Sequence, residues 1–258
     1  MYSDVIDLRQ FYNHPLGHIA QRMIRRRVRE LWPDTSGQIV VGLGYAVPYL
    51  RPFLEEAERV LAVMPARQGV IHWPGRESGR VALVDDVALP FQDNMIDRLL
   101  VVHALEVTES WRGLLRDCWR VLAPGGRLIV VAPSRRGIWA RSDRTPFGHG
   151  HPYSAVQLQR LLRDHSFVPE RVERAVYLPP IRSRFLMRTA PAWERIGRRW
   201  FPRFAGVVMV EASKQMYQGV TGKRQPARRP LLVPVPGGAV ARDAPQAAGI
   251  TPSLSSPP

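Results

Sequence analysis

Cysteine is almost missing: Cys118 stands alone among 258 residues. One thiol cannot close an internal disulfide. A disulfide framework and a cysteine-based zinc or iron–sulfur centre are therefore excluded, and a reducing compartment is the natural setting. Long apolar runs are also lacking. The longest uncharged one, Ile39 to Leu50, falls well short of the ~20 residues a spanning helix needs, so no membrane span is expected. The opening Met1-Tyr2-Ser3-Asp4 has neither the positive start nor the apolar stretch of a secretory signal, which points to a cytoplasmic location. Acidic residues are outnumbered, 22 against 37 basic, for a net charge of +15. Lysine contributes only Lys214 and Lys223. Basicity that is almost entirely arginine, beside abundant Ala, Pro and Gly, fits GC-rich coding as well as it fits an anionic partner such as nucleic acid.

What is present divides into three. Residues 1–35 hold an amphipathic helix, with Ile24, Val28 and Leu31 on one face, Arg22, Arg26 and Arg29 on another, and Pro33 closing it. Residues 36–218 alternate apolar runs with helical or loop segments. Residues 219–258 carry eight prolines, five glycines and one acid, Asp243. Such a composition cannot bury enough apolar surface to offset its ordering entropy, so this tail is expected to be disordered. Without it the rest keeps a net charge of +11.

In the middle segment, strands are expected at Gln38 to Gly44, Arg59 to Met64, Arg80 to Val84, Asp97 to Val102 and Arg127 to Ala132, with a last one at Gly206 to Ala212. Helices are expected from Pro48 to Glu58, Ser110 to Leu122, Ser154 to His165 and from Ala190. Apolar runs with little polar alternation are what strands buried on both faces of a parallel sheet look like. The expected class is α/β, a doubly wound, mostly parallel Rossmann-like sheet with an antiparallel last strand.

Between the first strand and its helix lies Gly42-x-Gly44-x-Ala46. Small residues there either let the backbone approach a ligand at a helix N-terminus or simply pack a tight turn against the sheet. Further on come Asp85-Asp86-Val87-Ala88-Leu89-Pro90-Phe91, His103-Ala104-Leu105-Glu106 and Arg120-Val121-Leu122-Ala123-Pro124-Gly125-Gly126. In this order the chain resembles the class I S-adenosylmethionine-dependent methyltransferases (methyltransferase type 11-like) over roughly residues 36–134. The resemblance implies S-adenosylmethionine as cofactor. Gly42, Gly44 and Ala46 would line its amino-acid moiety, Asp85 would approach the adenine, Met64 would pack on it, and Val102 and His103 would pass the methionine portion. It also implies acids two residues before Gly42 and at the end of the second strand, where Val40 and Met64 stand instead. Gln68 or a backbone group would then have to reach the ribose. Asp85 could alternatively cap a turn.

The loop Pro133 to Tyr153 leaves the carboxyl end of the fifth strand, where a substrate would meet the methyl group. Trp139 and Phe147 are expected to form a lid, and Ser154 to cap the next helix. His149-x-His151 lacks partners for a metal site, so no metal is expected. His103, His149, His151 and Tyr153 are the candidate catalytic groups, though the histidines could also merely pack the loop. The arginine clusters with Trp193, Trp200 and Phe201 would suit RNA, or be solvated helix faces. The expected function is methyl transfer to an unidentified acceptor, most simply a small molecule. The alternatives are a catalytically silent binding or regulatory protein on the same fold and an RNA-binding or RNA-modifying protein. The oligomeric state is not written in these patterns.

Overall fold

The computed structural model describes residues 4–75, 79–181 and 183–215. The tail expected at 219–258 lies outside the described residues. Seven strands, β1 (Ile39–Gly44), β2 (Arg59–Pro65), β3 (Val81–Val84), β4 (Ile96–Val102), β5 (Leu122–Pro133), β6 (Phe167–Ala175) and β7 (Val207–Lys214), form one sheet in the order β3-β2-β1-β4-β5-β7-β6. The first five pair in parallel and β7 runs antiparallel to both β5 and β6. Helices α1 (Val5–Asn13), α2 (Pro15–Leu31), α3 (Val47–Leu50), α4 (Trp111–Val121), α5 (Ala155–Arg163), α6 (Arg184–Arg188) and α7 (Ala190–Trp200) complete the described chain. Alternate side chains of the central strands feed two cores. Val40, Met64, Leu100 and Val102 join α1, α2 and α3 on one face, while Val41, Val63, Leu99 and Val101 join α4 and α5 on the other.

The amino-terminal part is two helices rather than one. Pro15 has no N–H to continue a ladder and restricts the residue before it, so the chain opens at His14 (φ −84°, ψ 154°) and restarts with proline in the first turn of α2. The first helix, unforeseen in the sequence, is capped by Asp4, whose Oδ1 accepts from Ile6 N–H at 3.3 Å, and buries Val5, Leu8, Phe11 and Tyr12. The second ends where Arg171 donates to the Leu31 carbonyl (2.8 Å) and Trp32 Nε1 donates to Glu211 of β7 (3.2 Å).

The expected helix from Pro48 to Glu58 is shortened to α3 and a 3-10 turn at Arg51–Phe53. Pro52 removes the N–H that would have reached the Pro48 carbonyl four residues back. Gln21 of α2 donates to that carbonyl instead, at 2.9 Å. Ser154 caps α5 in a reciprocal capping box with Gln157.

Candidate functional site

At the carboxyl ends of β1 and β4 the backbone is pressed together. Tyr45 N–H donates to the Val102 carbonyl at 2.9 Å. A Cβ on Gly44 (φ +80°) would lie 2.2 Å from that same oxygen, and one on Gly42 would lie 2.6 Å from the Ala46 Cβ. Both glycines are thus required by packing alone. His103 follows β4 with φ +52°, a left-handed backbone uncommon outside glycine that is found at functional sites more than elsewhere.

His103 is buried in a four-membered polar chain. Its Nδ1 lies 3.1 Å from Glu106 Oε1, its Nε2 lies 2.8 Å from the Tyr12 hydroxyl, and the Tyr12 and Tyr49 hydroxyls are 2.7 Å apart. With neutral His103 and ionised Glu106, one assignment satisfies every contact. Tyr49 donates to Tyr12, Tyr12 donates to Nε2, and Nδ1–H donates to the carboxylate. Burial raises the pKa of Tyr12 well above the ordinary phenol range and that of Tyr45 to about 12, so both stay neutral in water of ordinary pH. The second oxygen of Glu106 is buried without a partner, as is Oε1 of Gln68, whose amide donates to the His103 carbonyl at 2.9 Å.

A ring of aromatics closes over this chain. Tyr12 stacks on Tyr45 at 5.5 Å, and Phe147 sits 4.9 Å from the His103 ring. Phe11 meets both Trp139 and Phe147 edge-on, at 6.3 and 6.2 Å. The lid expected from Trp139 and Phe147 therefore closes against α1.

The expected positions separate as follows. Gly42, Gly44, Ala46, Met64, Val102 and His103 gather at the strand ends, and all of them are buried. Asp85 does not face inward. It is exposed and accepts from Val87 N–H at 3.0 Å, closing its own turn. Its neighbour Asp86 is the one that turns in, accepting from the Thr108 hydroxyl at 2.6 Å. His151 and Tyr153 line a separate open cleft of about 650 Å³ with Glu106, Thr108 and Trp111. His149 lines neither. Among the described residues, no group of three or more His, Cys, Asp or Glu could hold a metal ion.

Residues 39–130 match the family model of the methyltransferase domain. Over that segment, about a third of the chain, the protein is similar to a methyltransferase domain. Its fold is similar to that of a solved S-adenosylmethionine-dependent methyltransferase from Thermotoga maritima, at 16% identity and a TM-score of 0.56 over 82% of this chain and 96% of that one. A demethylmenaquinone methyltransferase from Corynebacterium efficiens is 28% identical over 51% of this chain and 57% of its own length. Another from Thermus thermophilus is 26% identical over 67% of this chain and 83% of its own. The first of these alignments thus spans little more than half of the relative.

The cofactor of methyltransferase domains of this family is S-adenosylmethionine. With α1 docked it does not fit. Pro65, Gln68, Asp86, Ala104 and Thr108 enclose only about 20 Å³, whereas ligand pockets run to about 300–1,000 Å³. Tyr12, on α1, is buried against His103, and Met64 is buried at the end of β2. Neither Tyr12 nor α1 was legible as part of the site. The helix is only nine residues long, and its contact with His103 spans 91 positions of sequence.

Proposed function

We propose that this domain transfers a methyl group from S-adenosylmethionine to a hydroxyl-bearing small molecule, with His103 as proton acceptor and α1 docked as the closed state of the site. One observation carries this reading: the Tyr12 phenol at 2.8 Å from His103 Nε2. Glu106 holds the opposite ring nitrogen, so Nε2 is left as a base, and a phenol already stands where an acceptor hydroxyl would bring its proton. In that role Nε2 takes the hydroxyl proton and the Glu106 carboxylate offsets the charge gained by the ring. The names of the two relatives, both demethylmenaquinone methyltransferases, favour a small-molecule acceptor. His151 and Tyr153 would line the approach through the open cleft.

The reading requires α1 to leave, and magnitudes allow it. Burying Val5, Leu8, Phe11 and Tyr12 contributes about 6–12 kcal/mol at ~1.5–3 per side chain. Ordering nine residues costs about 1–2 kcal/mol each. The two are of similar size, so the helix is held with little surplus. Calorimetry on the full chain tests the proposal. Tyr12→Ala should bind S-adenosylmethionine at least tenfold more tightly than the wild type while circular dichroism keeps the fold. No heat from either protein at millimolar cofactor would overturn it and leave the methyltransferase fold in a silent, binding role. The absent acids at Val40 and Met64 would be the reason for that outcome.

A further inference from the structure

Far from this site in sequence, α7 is amphipathic in an unusual way. Trp193, Ile196 and Trp200 recur at helical spacing on one flank, and Arg195, Arg198 and Arg199 occupy the opposite side. Only a narrow strip faces the protein body. Ala190 and Gly197 are buried, with a Cβ on Gly197 directed at the Tyr177 ring within 2.5 Å. The apolar flank continues into Phe201 and, past Pro202, into Phe204. These five large apolar side chains are between 38% and 70% exposed. On the arginine side, α7 and α2 border a cleft of about 550 Å³, where Arg22, Arg26, Arg195 and Arg198 stand over Met23 and Met187.

We propose that the α7 face docks on the surface of an anionic phospholipid bilayer, with Trp193, Ile196, Trp200 and Phe204 entering the interface and the flanking arginines gathering lipid phosphates. Tryptophan and phenylalanine on one side and arginine on the other is the arrangement with which a helix lies in the plane of a membrane surface. Charge complementarity supports an anionic surface, because each basic residue near it adds to the attraction and the chain carries a net charge of +15. Single-stranded RNA fits less well. Base stacking needs open ring faces interleaved with arginine. Here Ile196 offers no ring, and Phe201 and Phe204 turn edge to face on each other at 6.4 Å. No described helix is long and apolar enough to cross the membrane, so the contact is peripheral. The inference stands whether or not the proposed methyl transfer holds.

Co-sedimentation of the full chain with phosphatidylglycerol vesicles, set against phosphatidylcholine vesicles, tests it. At low salt at least tenfold more protein should pellet with the anionic vesicles, and tryptophan emission should shift to the blue. Trp193→Ser with Trp200→Ser and Phe204→Ser should lower that binding at least tenfold. Arg195→Ala with Arg198→Ala should weaken it and reduce its salt dependence. These positions are exposed, and an unchanged melting temperature would show that the fold is kept. No vesicle binding would overturn the proposal. So would binding that survives both sets of substitutions, which would assign it to another segment such as residues 219–258. Tight binding of poly(U) RNA without lipid preference, or self-association abolished by the serine variant, would overturn it in favour of nucleic acid or a second copy.

Discussion

Aromatic side chains are used in two opposite ways in this protein. Around His103, Phe11, Tyr12, Trp139 and Phe147 are each 9% exposed or less, and they meet one another edge-on. Along α7 and the turn after it, Trp193, Trp200, Phe201 and Phe204 face outward. The difference lies in what surrounds them. The first group fills a concave strand-end crevice whose polar atoms pair through the Tyr49–Tyr12–His103–Glu106 chain. The second decorates a helix fixed by two small residues, Ala190 and Gly197. A count of aromatics in the sequence cannot distinguish a plug from a docking face; only the presence or absence of an opposing surface can.

The sharpest way to break the comparison is at its inner pole. His103→Asn keeps a residue that tolerates the left-handed backbone but has no titratable ring nitrogen. Methyl transfer should fall by about 10²–10⁴-fold, the range that general-base catalysis supplies, with binding of S-adenosylmethionine within a few-fold of wild type. A rate that stays within threefold would remove His103 from the chemistry and leave the buried chain a structural device. Glu106→Gln should cost less, since the amide can still accept from Nδ1–H while losing the charge that offsets the imidazolium.

Next in size is a test of whether the inner pole is a packing demand. Gly44→Ala forces a Cβ against the Val102 carbonyl at φ +80°, and should destabilise by about 2–4 kcal/mol in denaturant unfolding. Gly75→Ala, where nothing lies within 4 Å, should be near neutral. Equal effects at both positions would show that the glycine turn is not under the compression described.

Much of the frame was legible from residues alone. Apolar runs gave all the strands but β6, Pro124-Gly125-Gly126 marked the end of α4, and Ser154 announced the cap of α5. The site was less legible because its decisive contacts are long-range or turn on one residue. Asp85 and Asp86 are adjacent and chemically identical. Which of them faces inward depends on Asp85 closing its own turn through Val87 N–H while Thr108, 22 positions further on from Asp86, claims the other. Pro52 was visible, but the compensating donor, Gln21 on a different helix, was not. Tyr12 reaches His103 across 91 positions of sequence, which no local periodicity of α1 encodes.

The smallest expected effect lies at the outer pole, in how α7 is anchored. Glu194 accepts from Tyr177 N–H at 3.1 Å through one oxygen, and its other oxygen is buried without a partner. Burial raises its pKa, an effect that the Tyr177 N–H and the Arg27 charge reduce but do not cancel. The folded protein therefore holds this proton more tightly than the unfolded chain, whose glutamates titrate near ~4.3. Between that value and the raised one the folded state binds more protons, so stability falls as pH rises through the window and is level above it. Glu194→Gln retains an acceptor for the Tyr177 N–H and cannot titrate. The difference in melting temperature, wild type minus variant, should thus decline from pH 4 toward neutral, and a difference that is flat or rising across that range would contradict the assignment. Because small residues, Ala190 and Gly197, seat α7, the loss at neutral pH bears on a helix whose apolar flank faces outward, so the anchor weakens on the side of the molecule that is already the more open.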